Sequence, residues 1–197
     1  MDENEENLID AKDMTIYNYL TNAKEISIPR YQRSYSWERK NIEVLINDLK
    51  NDYYVGNIIE FCEEGDKKKE IVDGQQRIIT IFLILISIYN STKVEEKKEE
   101  IEKIICCDGK KCKLILRSRI ANEGSDILQY LINGDKITKE LENKYNELKM
   151  YKVIQQILKK KDMDTIYESL KSSNIVKISF LKNETSAHEM FVNFNTK

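Results

Sequence analysis

Residues 69–89 read KEIVDGQQRIITIFLILISIY, and they are the most informative part of the sequence for the fold. Residues 69–72 read as a short β-strand. Residues 78–89 are apolar all round, which by periodicity alone fits either a strand or a buried helix. Their length favours a helix packed on a sheet, despite the many β-branched residues. The segment DGQQR, residues 73–77, therefore lies at a strand-to-helix junction.

The residues before this junction predict the rest of a small sheet. Residues 57–62 read as a strand, and a charged turn over residues 63–68 lets this strand pair with residues 69–72 as a hairpin. Residues 25–28 alternate in polarity as a further strand, which Pro29 ends. We therefore expect at least three strands around the junction.

Helices are expected to cover that sheet. Helical spacing of apolar residues lies at residues 8–20, 37–50, 126–132, 138–160 and 163–170. Ser36 is a suitable N-cap for the second of these helices. The stretch before it, residues 29–37, is polar and aromatic without a period, so it reads as a loop.

The second half of the chain begins with a charged segment without aromatic residues, 91–103, which predicts a boundary. Residues 104–107 and 113–116 then predict a second hairpin. Residues 174–181 alternate as a strand, and the capping box at residues 186–189 opens a last helix.

These elements together predict the α+β class. We expect residues 1–95 to form a core that carries the DGQQR loop, and residues 96–197 to add a hairpin and a helical extension with a closing helix. No sequence signal ends that helix at Lys197, so the chain is expected to be a truncated fragment of a longer protein.

Composition excludes several classes of protein. The 197 residues hold 32 Lys and Arg against 34 Asp and Glu, a formal net charge of −2, with 41% hydrophobic residues. These values exclude a histone-like polycation and a disordered chain. The N-terminus is acidic and the longest apolar run is too short to cross a bilayer, so we expect a cytoplasmic protein without membrane contact.

The cysteines predict no metal site. They lie at Cys62, Cys106, Cys107 and Cys112, without a C-x-x-C pair. The only histidine, His188, is distant in sequence and reads as a surface residue. We expect reduced thiols in a hairpin rather than a disulfide framework or a zinc site.

The DGQQR segment has the residue types that an anion site needs. Free N–H groups and the dipole at a helix N-terminus favour an anion, and Gly74 permits a close backbone approach. Arg77 could fork onto phosphate oxygens, Gln75 and Gln76 could orient a water or a base edge, and Asp73 could hold magnesium. The alternative, equally open from the spacing, is a helix capped by Asp73 with solvated Gln and Arg side chains.

Two further segments are candidates. In residues 31–37, YQRSYSW, three aromatic residues alternate with Arg and amide side chains, a composition that can stack a base and hold a phosphate. Aromatic packing over the sheet is the reading we favour there. Phe191 and Asn195 lie four residues apart on one helical face, so Phe191 is expected in the core, while Asn195 either points into a site or caps the helix.

Four segments carry a family resemblance: IPRYQRSYSW at 28–37, YVGNI at 54–58, IVDGQQRIIT at 71–80 and FVNFNTK at 191–197. In this order and spacing, from about Leu8 to the end, the chain resembles the N-terminal domain of the GmrSD family. That family occurs in modification-dependent (type IV) restriction enzymes and related phage-defence proteins. The resemblance implies a ParB/sulfiredoxin-like fold, a small mixed sheet with helices, followed by a mainly helical extension.

The resemblance also implies an activity, namely the binding and hydrolysis of a nucleoside triphosphate that regulates DNA cleavage. The implied catalytic residues are Asp73, Gln75, Gln76 and Arg77. The implied nucleotide-binding residues are Tyr31, Gln32, Arg33, Gly74, Arg77 and Asn195. We expect magnesium or a similar divalent cation as the cofactor of the nucleotide, and Asp73 could hold it directly or through water.

The implied partners are DNA, modified or not, and a C-terminal His-Asn-His type nuclease domain in the full-length protein or on a partner. This chain does not supply the histidines of such a domain. A homodimer is a further expectation, because a structural dimerisation domain is a third reading. The main alternative function is a DNA-binding or nucleotide-sensing module without turnover.

Overall fold

A computed structural model describes residues 9–50, 54–62, 68–107, 110–116 and 127–181. The strands are β1 Ile9–Thr15, β2 Glu25–Ile28, β3 Asn57–Cys62, β4 Lys68–Asp73, β5 Cys106–Cys107, β6 Lys111–Cys112, β7 Leu114–Leu116 and β8 Asn174–Leu181. The helices are α1 Ile16–Asn22, α2 Arg39–Lys50, α3 Gln75–Ser91, α4 Glu95–Ile105, α5 Ile127–Ile132, α6 Lys139–Lys144, α7 Asn146–Leu158 and α8 Met163–Ser172.

Six of these strands form one mixed sheet in the order β1-β8-β3-β4-β2-β7. Strand β3 pairs antiparallel with β4 and parallel with β8, while β2 runs parallel to both β4 and β7. The α+β class and the hairpin between β3 and β4 are therefore confirmed. Strands β7 and β8 come from the second half of the chain, so both halves contribute to the same sheet.

Helix α3 occupies the centre of the core. Its residues from Ile78 to Ile88 are buried without exception, which confirms that the all-apolar stretch is a helix. Burial of each such side chain contributes about 1.5–3 kcal/mol, whereas β-branched residues lower helix propensity by no more than about 0.7 kcal/mol. Burial therefore decides the conformation of this segment. None of the described helices is both long and apolar enough to cross a membrane.

The two faces of the sheet differ in what packs on them. Ile58, Ile71 and Ile175 point into the main core with the helices. Ile59, Phe61, Val72 and Phe180 point to the opposite face and form a second apolar cluster that contains strand residues only. The alternation of side chains along a strand accounts for this division.

The prediction of a helix over residues 8–20 is wrong for its first part. Residues Ile9–Thr15 form β1, which pairs antiparallel with β8 along its whole length. The ladder with a strand far away in sequence outweighs the local helical spacing. Helix α1 begins at Ile16, where the Thr15 hydroxyl oxygen accepts a hydrogen bond from the Asn18 N–H at 3.1 Å.

Three other boundaries differ from expectation. Ser36 is not the N-cap of α2, because the helix begins only at Arg39; the N–H of Ser36 donates to Oε1 of Gln76. Residues 138–160 form two helices, α6 and α7, which are separated at Tyr145. The charged segment 91–103 falls mostly within α4, whose buried isoleucines pack in the core.

A second hairpin is present, but its predicted second strand, residues 113–116, is wrong: residues 111–112 pair with 106–107, and residues 104–105 end helix α4. Cys106 pairs with Cys112 between β5 and β6, whereas Leu114 belongs to β7 beside β2. Lys113 lies between the two sheets, and its buried Nζ donates to the carbonyl oxygens of Leu20 at 3.3 Å and Lys103 at 2.8 Å. This ammonium group satisfies carbonyls near the C-terminal ends of α1 and α4.

Candidate functional site

The DGQQR segment lies where β4 ends and α3 begins, as the sequence predicts. Strand β4 ends at Asp73, and Gly74 is the N-cap of α3 with φ +91 and ψ 5, a left-handed conformation. A Cβ at Gly74 would lie 2.9 Å from the carbonyl oxygen of Asn57. Glycine is thus needed twice here, for its backbone conformation and for close approach to β3.

Arg77 lies in the first turn of α3 and is half-buried. Its Nη1 donates to the carbonyl oxygen of Asn57 at 2.9 Å. Burial lowers the pKa of Arg77, while Asp73 and Tyr54 act in the opposite direction. The guanidinium stays charged, because the ordinary pKa of arginine lies far above neutral. It has five N–H donors, so donors remain for an anion.

Gln76 holds the loop of residues 29–37. Its side chain is only 5% exposed. Its Oε1 accepts hydrogen bonds from the backbone N–H groups of Ser36 at 2.8 Å and Trp37 at 3.3 Å, and its Nε2 donates to the carbonyl oxygen of Ser34 at 3.2 Å. The structure therefore gives Gln76 a positioning contact, and its catalytic role stays a prediction.

Gln75 presents a different situation. It is also 5% exposed, but its Oε1 has no hydrogen-bond partner within the part of the chain that the structure describes. A buried acceptor without a partner costs about 1–3 kcal/mol. Such an atom is one that a water or a ligand would satisfy.

In the aromatic loop of residues 31–37, some side chains are buried and others are exposed. Tyr35 is buried, and its hydroxyl lies 2.7 Å from Oγ1 of Thr80. Gln32 Nε2 donates to the carbonyl oxygen of Val72 at 2.6 Å, at the end of β4. Arg33 and Tyr31 are exposed, and the Tyr31 hydroxyl donates to Oε1 of Glu70 at 2.9 Å. Tyr35 is therefore packed as expected, whereas the side chains of Tyr31 and Arg33 are accessible to solvent.

Asp73 is exposed at the end of β4. Among residues 9–50, 54–62, 68–107, 110–116 and 127–181, no cluster of three or more His, Cys, Asp or Glu side chains could hold a metal ion. Magnesium is commonly bound by one or two carboxylates together with substrate phosphates. A single carboxylate therefore fits magnesium only when a nucleotide supplies further ligands.

The remaining candidates lie elsewhere. Asn195, Phe191 and His188 lie outside the described residues. All four cysteines are free thiols, and burial raises the pKa of Cys106 to about 11 and of Cys112 to about 12. Thiols with raised pKa values are poor nucleophiles, which fits a packing role for this hairpin.

Two residues that shape the candidate site were not predicted from the sequence. Gly56, with φ +114, leaves room for the Arg77 guanidinium, since a Cβ there would lie 2.6 Å from Cζ of Arg77. Asn146 of α7 donates to the backbone of the aromatic loop. Gly56 could have been suspected from the YVGNI segment, whereas no sequence signal marks Asn146.

Comparison with known proteins assigns the family. The family model described as GmrSD restriction endonuclease, N-terminal domain, matches residues 16–197. Comparison with curated proteins gave no match. The match covers nearly the whole chain and includes the DGQQR junction. The chain therefore belongs to the GmrSD restriction endonuclease N-terminal domain family.

Proposed function

We propose that this chain is the nucleoside-triphosphate-binding and hydrolysing regulatory domain of a modification-dependent, phage-defence restriction protein. The DGQQR junction is the observation that carries the proposal. It combines the N-terminus of the 17-residue helix α3, a left-handed glycine and a half-buried arginine. The buried, unpartnered oxygen of Gln75 adds an independent sign of a missing polar neighbour.

Phosphate binding follows from the first turn of α3. Since Ile78 N–H donates to the carbonyl of Gly74, the preceding N–H groups of the helix have no partner within it. These donors and the positive end of the helix dipole favour a phosphate. Arg77 then adds a fixed positive charge with donors that match phosphate oxygens.

Hydrolysis would use the same groups. A water oxygen attacks the γ-phosphorus, the bond from the γ-phosphorus to the bridging oxygen breaks, and a nucleoside diphosphate and phosphate leave. Arg77 and the helix amides stabilise the charge that develops on the phosphoryl oxygens. When bound, magnesium neutralises phosphate charge, and Asp73 is the residue that would hold it beside the phosphates. Gln75 would accept a hydrogen bond from the attacking water.

The aromatic loop would complete the nucleotide site. Tyr31 and Arg33 are exposed next to the junction and offer a stacking surface and a further cation. Gln32 holds the loop to the end of β4 through its 2.6 Å bond to Val72. The base and sugar are therefore proposed to lie on this side of the junction, with Asn195 as a further ligand.

Nucleotide sensing or DNA binding without turnover is the second candidate. It is favoured by one contact set: Oε1 of Gln76 already accepts two hydrogen bonds, from the N–H groups of Ser36 and Trp37, so this oxygen is not available to orient an attacking water. Family membership implies DNA interaction and a nuclease domain in the full-length protein. A homodimer stays a prediction.

Phosphate release from ATP, GTP, CTP and UTP with magnesium tests the proposal, with and without modified DNA. Arg77→Ala is expected to lower turnover by about 100-fold or more. Arg39→Ala is the matched control, because Arg39 is exposed on α2 and its side chain pairs with Glu43 at 2.8 Å, away from the DGQQR junction in sequence. Equal turnover in Arg77→Ala and wild type would overturn the role of Arg77. Bound nucleotide without turnover would favour the sensing module.

A further inference from the structure

The loop segment of residues 34–37 is held by two amide side chains from different parts of the chain. Gln76, from α3, binds the carbonyl of Ser34 and the N–H groups of Ser36 and Trp37. Asn146, the first residue of α7, donates through Nδ2 to the carbonyl oxygens of Tyr35 and Trp37, each at 3.2 Å. Five backbone groups of one short segment are thus bound by the two amides, three by Gln76 and two by Asn146.

This arrangement matters because the segment has no regular secondary structure. Its backbone groups lack the partners that a helix or strand would provide, so side chains must supply them. An asparagine Nδ2 group has two N–H donors, and both are accounted for by the two carbonyls. Without Asn146, the carbonyls of Tyr35 and Trp37 lose their described side-chain donor, and among the described amide side chains Gln76 alone continues to bind the backbone of the segment.

The start of α7 is packed against the same loop. Glu147, next to Asn146, is half-buried, and burial raises its pKa. Burial and the charge of Glu147 raise the pKa of Tyr35. The Tyr35 hydroxyl in turn lies 2.7 Å from Thr80 of α3. Residues 34–37 therefore lie between α7 and α3, with Tyr35 buried and Ser34 and Ser36 exposed.

We propose that Asn146 is a positioning residue for the nucleotide site, through which the helical extension fixes residues 34–37 against α3 and sets the affinity for a nucleoside triphosphate. The inference rests on the proposed function, since Tyr31 and Arg33 belong to the same loop as the segment that Asn146 holds. It assigns to the extension a regulatory contact with the DGQQR site. A partner that displaced α7 would release the loop and weaken nucleotide binding.

Trp37 provides a direct measurement of the loop, because it is the only tryptophan of the chain. Its carbonyl oxygen accepts one of the two hydrogen bonds from Asn146. Acrylamide quenching of Trp37 is measured without ligand, and nucleotide affinity is measured by titration calorimetry with magnesium and each of ATP, GTP, CTP and UTP. In Asn146→Ala we expect about two-fold stronger quenching. We also expect about 5- to 10-fold weaker nucleotide binding, the loss of roughly one hydrogen bond.

A second variant separates the loop contact from the stability of α7. Asn146→Asp keeps the size of the side chain but replaces the donor by an oxygen that repels both carbonyls. An acidic residue in the first turn stabilises a helix, so α7 itself is retained. This variant is expected to show the larger release of Trp37. Lys149→Ala is the control, since Lys149 is exposed on the same helix.

The outcomes distinguish the inference from the proposed function. Unchanged Trp37 quenching in both Asn146 variants overturns the positioning role. Released Trp37 with wild-type nucleotide affinity also overturns it, because the loop would then be irrelevant to the site. If the wild type binds none of the four nucleotides, the proposed function fails, and the positioning role at that site fails with it. In that case the quenching result still decides whether Asn146 holds the loop.

Discussion

The guanidinium of Arg77 lies against Gly56, at a point where a Cβ would require the guanidinium to move. A Cβ at Gly56 would lie 2.6 Å from both Cζ and Nη2 of Arg77. The next residue, Asn57, accepts the hydrogen bond from Nη1 of Arg77 at 2.9 Å. Gly56, just before β3, and Asn57, its first residue, therefore position the guanidinium of Arg77 at the DGQQR junction.

Gly56→Ala is predicted to displace Arg77 and to destabilise the fold. Positive φ alone costs a residue with a Cβ about 1–2 kcal/mol. The guanidinium would also have to move away from the new Cβ, which puts its hydrogen bond to the carbonyl of Asn57 at risk. Urea unfolding measures the total, and phosphate release or nucleotide affinity measures the effect on the site. We expect both stability and nucleotide affinity to fall.

Gly134→Ala is the matched control for this prediction. Gly134 has φ +75, but a Cβ there would meet nothing within 4 Å, so this variant reports backbone strain without a collision. The excess cost at Gly56 should shrink by about 1 kcal/mol when Arg77→Ala is added, as residues in contact are not additive. Equal costs with and without Arg77 would show that the contact does not matter.

Gln76 is predicted to be needed for the placement of the aromatic loop. Gln76→Ala removes all three hydrogen bonds to residues 34–37, with an expected loss of about 1–3 kcal/mol in the free energy of unfolding. Gln76→Glu keeps an acceptor for the Ser36 and Trp37 N–H groups but sets a carboxylate oxygen against the Ser34 carbonyl. Trp37 quenching should therefore rise in both variants, more in Gln76→Ala. A purely catalytic Gln76 would lower turnover and leave Trp37 quenching unchanged.

Local sequence patterns were sufficient wherever neighbouring residues decide the structure. The run from Ile78 to Ile88 is apolar on every side, and such a helix can only be buried. The junction at residues 73–77 follows directly from the strand before it and the helix after it. The β3–β4 hairpin likewise depends on residues close in sequence.

Local sequence patterns could not predict contacts between residues that are far apart in the chain. Residues 9–15 form a strand because β8, at the other end of the described chain, offers a complete ladder of backbone partners. The site shows the same limit, since Asn146 reaches the backbone of Tyr35 across more than a hundred residues. Which amide donates to which carbonyl is fixed by packing, and a single sequence does not contain that information.

The buried pair of Glu60 and Lys69, which Tyr19 of α1 contacts, is predicted to be sensitive to the loss of one charge. Glu60 is 0% exposed and accepts hydrogen bonds from the hydroxyls of Tyr19 at 2.6 Å and Ser179 at 2.8 Å. Nζ of Lys69 lies 3.8 Å from Oε1 of Glu60 and 4.0 Å from the centroid of the Tyr19 ring. Glu60→Gln leaves the Lys69 ammonium without its anion, at an expected cost of about 3–5 kcal/mol.

The double variant checks this account of the pair. Lys69→Met removes the cation but keeps an unbranched apolar chain, so Glu60→Gln together with Lys69→Met should recover much of the lost stability. Urea unfolding of the two single variants and the double variant gives the coupling free energy. Additive losses would mean that the two charges do not interact.

Glu147 predicts a pH dependence of stability with a definite sign. Burial raises its pKa above the ordinary value of 4.5, so the folded chain holds this proton more tightly than the unfolded chain does. The resulting stability is fully present below pH 4.5 and is lost as the pH rises through the folded pKa. At pH 7 the buried carboxylate therefore destabilises the fold.

Glu147→Gln should be more stable than wild type by about 0.5–1 kcal/mol at pH 7, with the difference shrinking towards pH 4. Urea unfolding at both pH values measures this, with Glu140→Gln, an exposed position on α6, as the control. A difference that is the same at both pH values would show that the charge of Glu147 is not its cause.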